Sequence, residues 1–447
     1  MRDDERIISR AVAHALRWAS RTGAGCEADM TAIEKGELPY DPGDPAEVVE
    51  QLARLAEPGL REPGLRGAPP RRSGGAAALG ADWLTSAWNQ NTATHEESPA
   101  TAAIEAAAAR WLRDLLGLPA RSDVGFVTDA TMATFTALAA ARSALLADEG
   151  WDLDNDGLAG APRIAVLAAE APSGLAGALR YLGLGRAIPV GTDGQGRMRA
   201  SALATALDRL AGRPAIVCLR AGHPATGAFD PFPEAIIWAR SYGAWVHVDG
   251  AAGLWSAASP ALRHVVEGSE RADSWTFGAD EMLGVPYECH VAAVARPEAL
   301  RAAMGGARGY LVEPLPVAAD PDPAEMVPEF SRRARGVPVW AALRALGRLG
   351  VAELVERRVE HAQSLAAALS TVPGAEAVND VVSTSVCVAF GTDARTRGVA
   401  AGARAHWAQV RLNGRVALRF TTHAGADPAA ALATLRQAVR DVSDRSA

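Results

Sequence analysis

Apolar positions along the chain follow two different spacings, and where the spacing changes marks its elements. Residues 5–20 and 46–57 read as amphipathic helices. The Pro/Gly-rich stretch that follows, 57–75, reads as an arm or loop. Residues 76–89 and 101–116 read as further helices. From there short β-branched runs alternate with helical stretches. Strands are predicted at 125–128, 163–167, 215–219 and 245–249, with helices at 131–147, 173–182 and 232–242 between them. Strands separated by helices of this length predict an α/β fold, a mainly parallel central sheet with crossover helices. A further strand is expected at 291–294. Helices at 338–348 and 351–371 then lead into a smaller α+β region, with strands near 383–390 and 415–422 and a last helix from 428. The expected division is an N-terminal helical segment and arm (1–85), a large domain (86–337) and a small C-terminal α+β domain (338–447). At 447 residues the chain is too long for one core to organise easily.

Composition narrows the function classes. The chain is 49% apolar and 22% charged, as globular proteins are, with a net charge of −7. That balance predicts neither nucleic acid nor an anionic membrane as partner. Cys26, Cys218, Cys289 and Cys387 are scattered without a paired spacing, so no disulfide framework and no metal site is expected. The charged start, Met1 to Arg6, has no apolar segment of signal-peptide type, and the expected location is cytoplasmic. Asp152-Leu153-Asp154-Asn155-Asp156-Gly157 begins like a calcium loop, but the twelfth position holds Arg163 rather than Glu, so it reads as a surface turn.

Candidate chemistry gathers at the predicted strand ends, where open α/β sheets place their sites. His247-Val248-Asp249-Gly250-Ala251 closes one strand. Gly125 to Leu138 runs from a strand into a helix start, a natural anion site. Within it Asp129 offers the helix an N-cap with or without a ligand, next to Thr131. Ala169-Glu170-Ala171-Pro172-Ser173-Gly174 follows another strand, and Ala221-Gly222-His223-Pro224-Ala225-Thr226-Gly227 a third. Ala272-Asp273-Ser274-Trp275-Thr276-Phe277-Gly278-Ala279-Asp280-Glu281-Met282-Leu283-Gly284-Val285-Pro286-Tyr287 carries two adjacent carboxylates.

Together these segments resemble the group II amino-acid decarboxylases, fold type I enzymes dependent on pyridoxal phosphate (PLP). The resemblance covers roughly residues 80–440. It implies that Asp249 binds the pyridine nitrogen, that Ala251 packs on the ring, and that the segment around Thr131 holds the phosphate. In the family form, A-D-S-W-x-x-D-A-H-K-W-L-N-V-P-Y, a lysine anchors the cofactor. Here Glu281 stands in its place and Asp280 replaces the preceding histidine. A carboxylate cannot form the covalent bond to the aldehyde that a lysine amine forms. One lysine, Lys35, stands among 45 Lys and Arg residues, far upstream. Pro172 replaces the family's stacking histidine, His223 and Ala225 replace asparagines, Thr226 is kept, and Asp129 replaces a glycine. A carboxylate about 5 Å from a phosphate costs on the order of 3 kcal/mol per phosphate charge at an effective dielectric near 20.

Trp88 to Pro99 aligns with the family segment lining the substrate side and carries His95-Glu96-Glu97. Glu96 and Glu97 read equally well as solvated surface carboxylates. With Asp129, Asp249, Asp280 and Glu281 they predict an acidic cleft of raised carboxyl pKa values. Phe330 to Gly336 resembles the family's S-R-R-x-R-G, Tyr310 to Val327 its catalytic flap, and Arg419 a carboxylate anchor, or equally a domain-interface salt bridge.

The expectation is a repurposed decarboxylase relative, a homodimer with no cofactor. Glu281 acts as general acid or base, assisted by Asp280, His95 or His223, on a small amino-acid-derived substrate carrying a cationic group. Two alternatives stand beside it: a non-catalytic metabolite-binding or partner-stabilising relative, and a protein that binds PLP without a covalent link.

Overall fold

A computed structural model describes residues 2–20, 40–57, 60, 75–251, 253–305, 321–403, 406–422 and 427–444. Lys35, Tyr310 and most of the expected 57–75 arm lie outside these residues.

Seven strands form the central sheet: β1 (Asp123–Val127), β2 (Ala165–Ala168), β3 (Ile188–Pro189), β4 (Ala215–Arg220), β5 (Trp245–Asp249), β6 (Ser274–Gly278) and β7 (His290–Val294), in the order β1-β7-β6-β5-β4-β2-β3. From β3 to β6 every neighbouring pair is parallel. β7 runs antiparallel to both β6 and β1. Its link to β6 carries only the short helix Ala279–Leu283, too little chain for a parallel crossover, so the strand turns back instead. The interior strands are apolar throughout; Val217, Leu219, Val246 and Val248 are all buried, as a sheet covered on both faces requires.

The helix Ala130–Asp148 is long and apolar enough to cross a membrane by composition, yet Leu138, Leu145 and Leu146 are buried in the core beside β2 and β4. The two helices expected at 338–348 and 351–371 follow one another within Gly336–Ala368, separated by a kink where Gly347 leaves the helical conformation with a φ of 62°. Its first part packs on the helices Gly75–Trp88 and Pro99–Leu116, and its far end enters the core of the small sheet. That sheet is antiparallel, ordered β10 (Ala408–Leu412), β11 (Arg415–Thr421), β9 (Ser385–Ala389), β8 (Glu376–Ala377). Val386, Val388, Leu418 and Phe420 point to its own core, with the helices Asp393–Ala403 and Pro428–Asp444. From the opposite face Cys387 donates to the Ala225 carbonyl at 3.2 Å, tying the small sheet to the large domain.

Candidate functional site

The C-terminal ends of the parallel strands bring three carboxylates into one cleft. Asp249 ends β5, half-buried, and accepts from the Ala251 N–H at 3.3 Å. Burial pushes its carboxyl up, against the opposing pull of that N–H and of Arg220 and His290. Arg220 sits opposite Asp249 in the β4–β5 register. Asp280 and Glu281 open the short helix Ala279–Leu283 that follows β6. Asp280 turns inward and is buried, whereas Glu281 is solvent-accessible within the cleft. Both are raised above the ordinary carboxylate range. Desolvation is the main cause for each, and the charge of Asp280 is the next for Glu281.

The cleft is not uniformly acidic. Arg358, buried on the helix Gly336–Ala368, donates to the carbonyls of Glu281 at 3.0 Å and Met282 at 2.9 Å. His290, at the start of β7, places Nδ1 3.6 Å from Asp280 Oδ1. Arg358 and Arg220, with the imidazole of His290, correct the expectation of a cleft built of carboxylates alone. They escape a sequence reading because no spacing marks them: Arg220 is a single charge after Ala215-Ile216-Val217-Cys218-Leu219, and Arg358 is one of several charges in Glu356-Arg357-Arg358-Val359-Glu360.

Some residues expected at the site have other work. His223 is buried, and its Nδ1 accepts from the N–H groups of Ala225 at 3.1 Å and Thr226 at 3.2 Å. That fixes the ring as the Nε2–H tautomer, which faces the Glu170 carboxylate at 3.5 Å. Burial, with Arg220 alongside, lowers its pKa, so the ring is neutral. Thr226 is buried and donates to the Gln195 carbonyl at 2.7 Å; it fastens two loops and leaves no hydroxyl for the cleft. Arg419 donates to the Pro224 carbonyl across the junction with the small sheet, which corrects its reading as a carboxylate anchor. His95 is held by Asp322, which accepts from its backbone N–H at 2.9 Å and lies 3.0 Å from its Nδ1. It lines a cavity against Gly125 and Phe126 of β1, whereas Asp249 lines another with Pro172, Cys218 and His247. Glu97 is exposed and accepts from Asn91 at 2.8 Å. A roomier cavity of about 290 Å³ lies elsewhere, between Gln195 and the small sheet, where Arg415 and Glu376 pair with each other.

A PLP-sized ligand can be tested against these groups. The ring end fits. Asp249 presents a carboxylate with one weak backbone contact, and the neighbouring His247 buries an Nε2 without a hydrogen-bond partner beside the same cavity. At the phosphate end Asp129 caps the helix Ala130–Asp148 by accepting from the Met132 N–H at 2.8 Å, so one amide that would greet an anion is engaged. Thr131 packs near Gly174 and Gly177 of the helix Ser173–Tyr181. At the covalent end Glu281 offers no amine. The donor chemistry thus matches at the ring end and departs from the family's at the phosphate and covalent ends.

The pyridoxal-dependent decarboxylase conserved domain matches residues 73–390. L-2,4-diaminobutyrate decarboxylase of Rhizobium meliloti (strain 1021) is 31% identical over 305 residues, which cover 66% of this chain and 58% of that protein. Tryptophan decarboxylase 1 of Oryza sativa subsp. japonica is 31% identical over 301 residues, covering 63% and 57% respectively. The chain thus spans little more than half the length of these curated relatives. Among solved structures, Oryza sativa TDC with PLP and tryptamine superposes with a TM-score of 0.87 at 22% identity, covering 100% of this chain and 98% of that one. Mouse CSAD gives 0.84 at 20% identity, covering 98% of each. The fold is that of fold type I PLP decarboxylases, as the sequence resemblance implied. The expectation that no cofactor is involved is overturned: the matching family is pyridoxal-dependent, and the rice structures hold PLP.

Proposed function

We propose that this chain, which belongs to the pyridoxal-dependent decarboxylase family, holds PLP in the strand-end cleft without a covalent link and uses Glu281 as the proton-carrying group there. The observation that carries this reading is the placement of Asp280 and Glu281 on the short helix that follows β6, next to the end of β5 where Asp249 stands. When bound, PLP supplies an electron sink for charge developing on an amino-acid-derived substrate. Asp249 would hold the ring nitrogen by a charge-assisted hydrogen bond. Glu281, its carboxyl raised by desolvation and by the neighbouring Asp280, can give or take a proton at the substrate. Arg358 fixes the backbone that carries it. A homodimer is part of the proposal. Leu84 and Trp88, one turn apart on the helix Gly75–Trp88, and Tyr287 leave large apolar surfaces exposed on the single chain, which light scattering at micromolar concentration would find paired.

The test is titration with PLP followed by borohydride reduction and mass spectrometry. Saturable binding that is lost on gel filtration, with no pyridoxyl group fixed to the chain, supports the reading. A reducible adduct, or no binding at millimolar PLP, sinks it.

A further inference from the structure

We propose that His290 is a positioning residue of the cleft, its imidazole supplying the countercharge that holds Asp280 in place beside Glu281. This rests on Glu281 as the proton-carrying group. The register of β6 and β7 sets Gly278 opposite His290. A Cβ at Gly278 would come within 2.9 Å of Asp280 Oδ1 and 3.2 Å of His290 Nε2, so the space left by the absent side chain is where the two groups meet. Asp280 Oδ1 and His290 Nδ1 lie 3.6 Å apart, and each is buried with no hydrogen-bond partner. Their closest partners are each other, and a small rotation would make a charge-assisted hydrogen bond.

The family segment that this chain resembles carries a histidine at the place of Asp280, just before the anchoring residue. Here the imidazole comes to that place from the next strand. The charged and titratable groups around the pair are Glu281 on the same short helix, Asp249 from β5, Tyr287 and the buried thiol of Cys289 from the following loop, and Arg358 from the helix Gly336–Ala368. Arg358 is already engaged with two carbonyls. Removing His290 would leave Asp280, Glu281 and Asp249 facing one another with less countercharge. A proton would then bind the cluster more tightly, and Glu281 would be the group to show it.

The experiment follows the carbonyl stretch of protonated carboxyl groups by difference infrared spectroscopy across pH, with the Glu281 band identified by its loss in Glu281→Gln. In His290→Gln the midpoint of that band should rise by about one pH unit, a tenfold gain in proton affinity. His290→Lys, which keeps a cation at 290, should return the midpoint to the wild-type value or below. A filler role for the ring would lower the melting temperature of both variants and leave both midpoints unmoved, and that result overturns the proposal. If His290→Gln does not fold, a raised midpoint in His290→Lys overturns it equally. No PLP is present, so failure here is separable from failure of cofactor binding.

Discussion

The guanidinium of Arg358 holds Glu281 by its backbone rather than by its carboxylate, donating to the Glu281 carbonyl at 3.0 Å. With its second bond, to Met282, it occupies carbonyls at the end of a helix of five residues, where a cation is favourably placed. The carboxylate is thus left free for the cleft while its main chain is fixed. Desolvation lowers the pKa of Arg358 to about 10, which still leaves it charged at neutral pH.

Arg358→Met should therefore do two things. It strips two carbonyls of their donor in a buried place, at a cost of about 2–4 kcal/mol. It also removes a cation that pulls the Glu281 carboxyl down, so that group should titrate higher still. Calorimetry reads the first effect, and the infrared titration reads the second. A stable variant with an unmoved Glu281 would show that Arg358 is a bystander.

His223 invites the opposite substitution. Its neutral ring accepts two backbone N–H groups, so His223→Ala leaves two buried donors unpaired and should cost about 2 kcal/mol or more. His223→Asn restores a side-chain acceptor near the same backbone and should recover most of that loss. Equal melting temperatures for the Ala and Asn variants would mean that the ring acts by packing against Gly196 rather than as an acceptor.

How much of this was readable in the sequence depends on the kind of signal. The longer helices and the apolar strands announce themselves by period and length, and β4 and β5 fall where alternation of strand and helix places them, whereas the shorter helices Ala200–Asp208, Pro297–Met304 and Asp393–Ala403 do not stand out. β6 was hidden inside a motif, and β3 and β8 are two residues each, too short to leave a pattern. The direction of β7 depends on the length of a connection, not on the strand's own residues. At the site, Asp249, Asp280 and Glu281 could be found because the segments that carry them resemble the family's motifs. His290, Arg220 and Arg358 could not, because the partner of each lies on another element. His95 looked like a cleft residue from its neighbours, and Asp322, 227 positions away, claims it.

Asp249 should dominate whatever binding of PLP the chain retains. A charge-assisted hydrogen bond to a ring nitrogen is worth about 1.5–3 kcal/mol, so Asp249→Ala should weaken PLP roughly 10- to 150-fold by calorimetric titration. The same change relieves a buried carboxyl whose pKa is pushed up, so stability should hold or improve. Undiminished affinity would place PLP away from the strand-end cleft and remove the basis for assigning Glu281 to its chemistry.

Glu281 itself should leave a signature in stability against pH. Its folded pKa lies above the ordinary value of 4.5, so between the two values the folded chain binds more protons than the unfolded one. Stability from this group is therefore full below pH 4.5 and declines as pH rises through the folded value. Glu281→Gln cannot ionise and escapes that decline. The variant should match wild type at pH 4 and exceed it above neutrality. Solvent reaches Glu281 in the cleft, so screening keeps the gain under about 1 kcal/mol, on the order of 1 °C in a chain of this length. Melting temperatures measured across pH for both proteins decide the matter. A gap that is absent above neutrality, or that opens only toward acid, would mean that Glu281 is an ordinary surface carboxylate and not the proton-carrying group of the cleft.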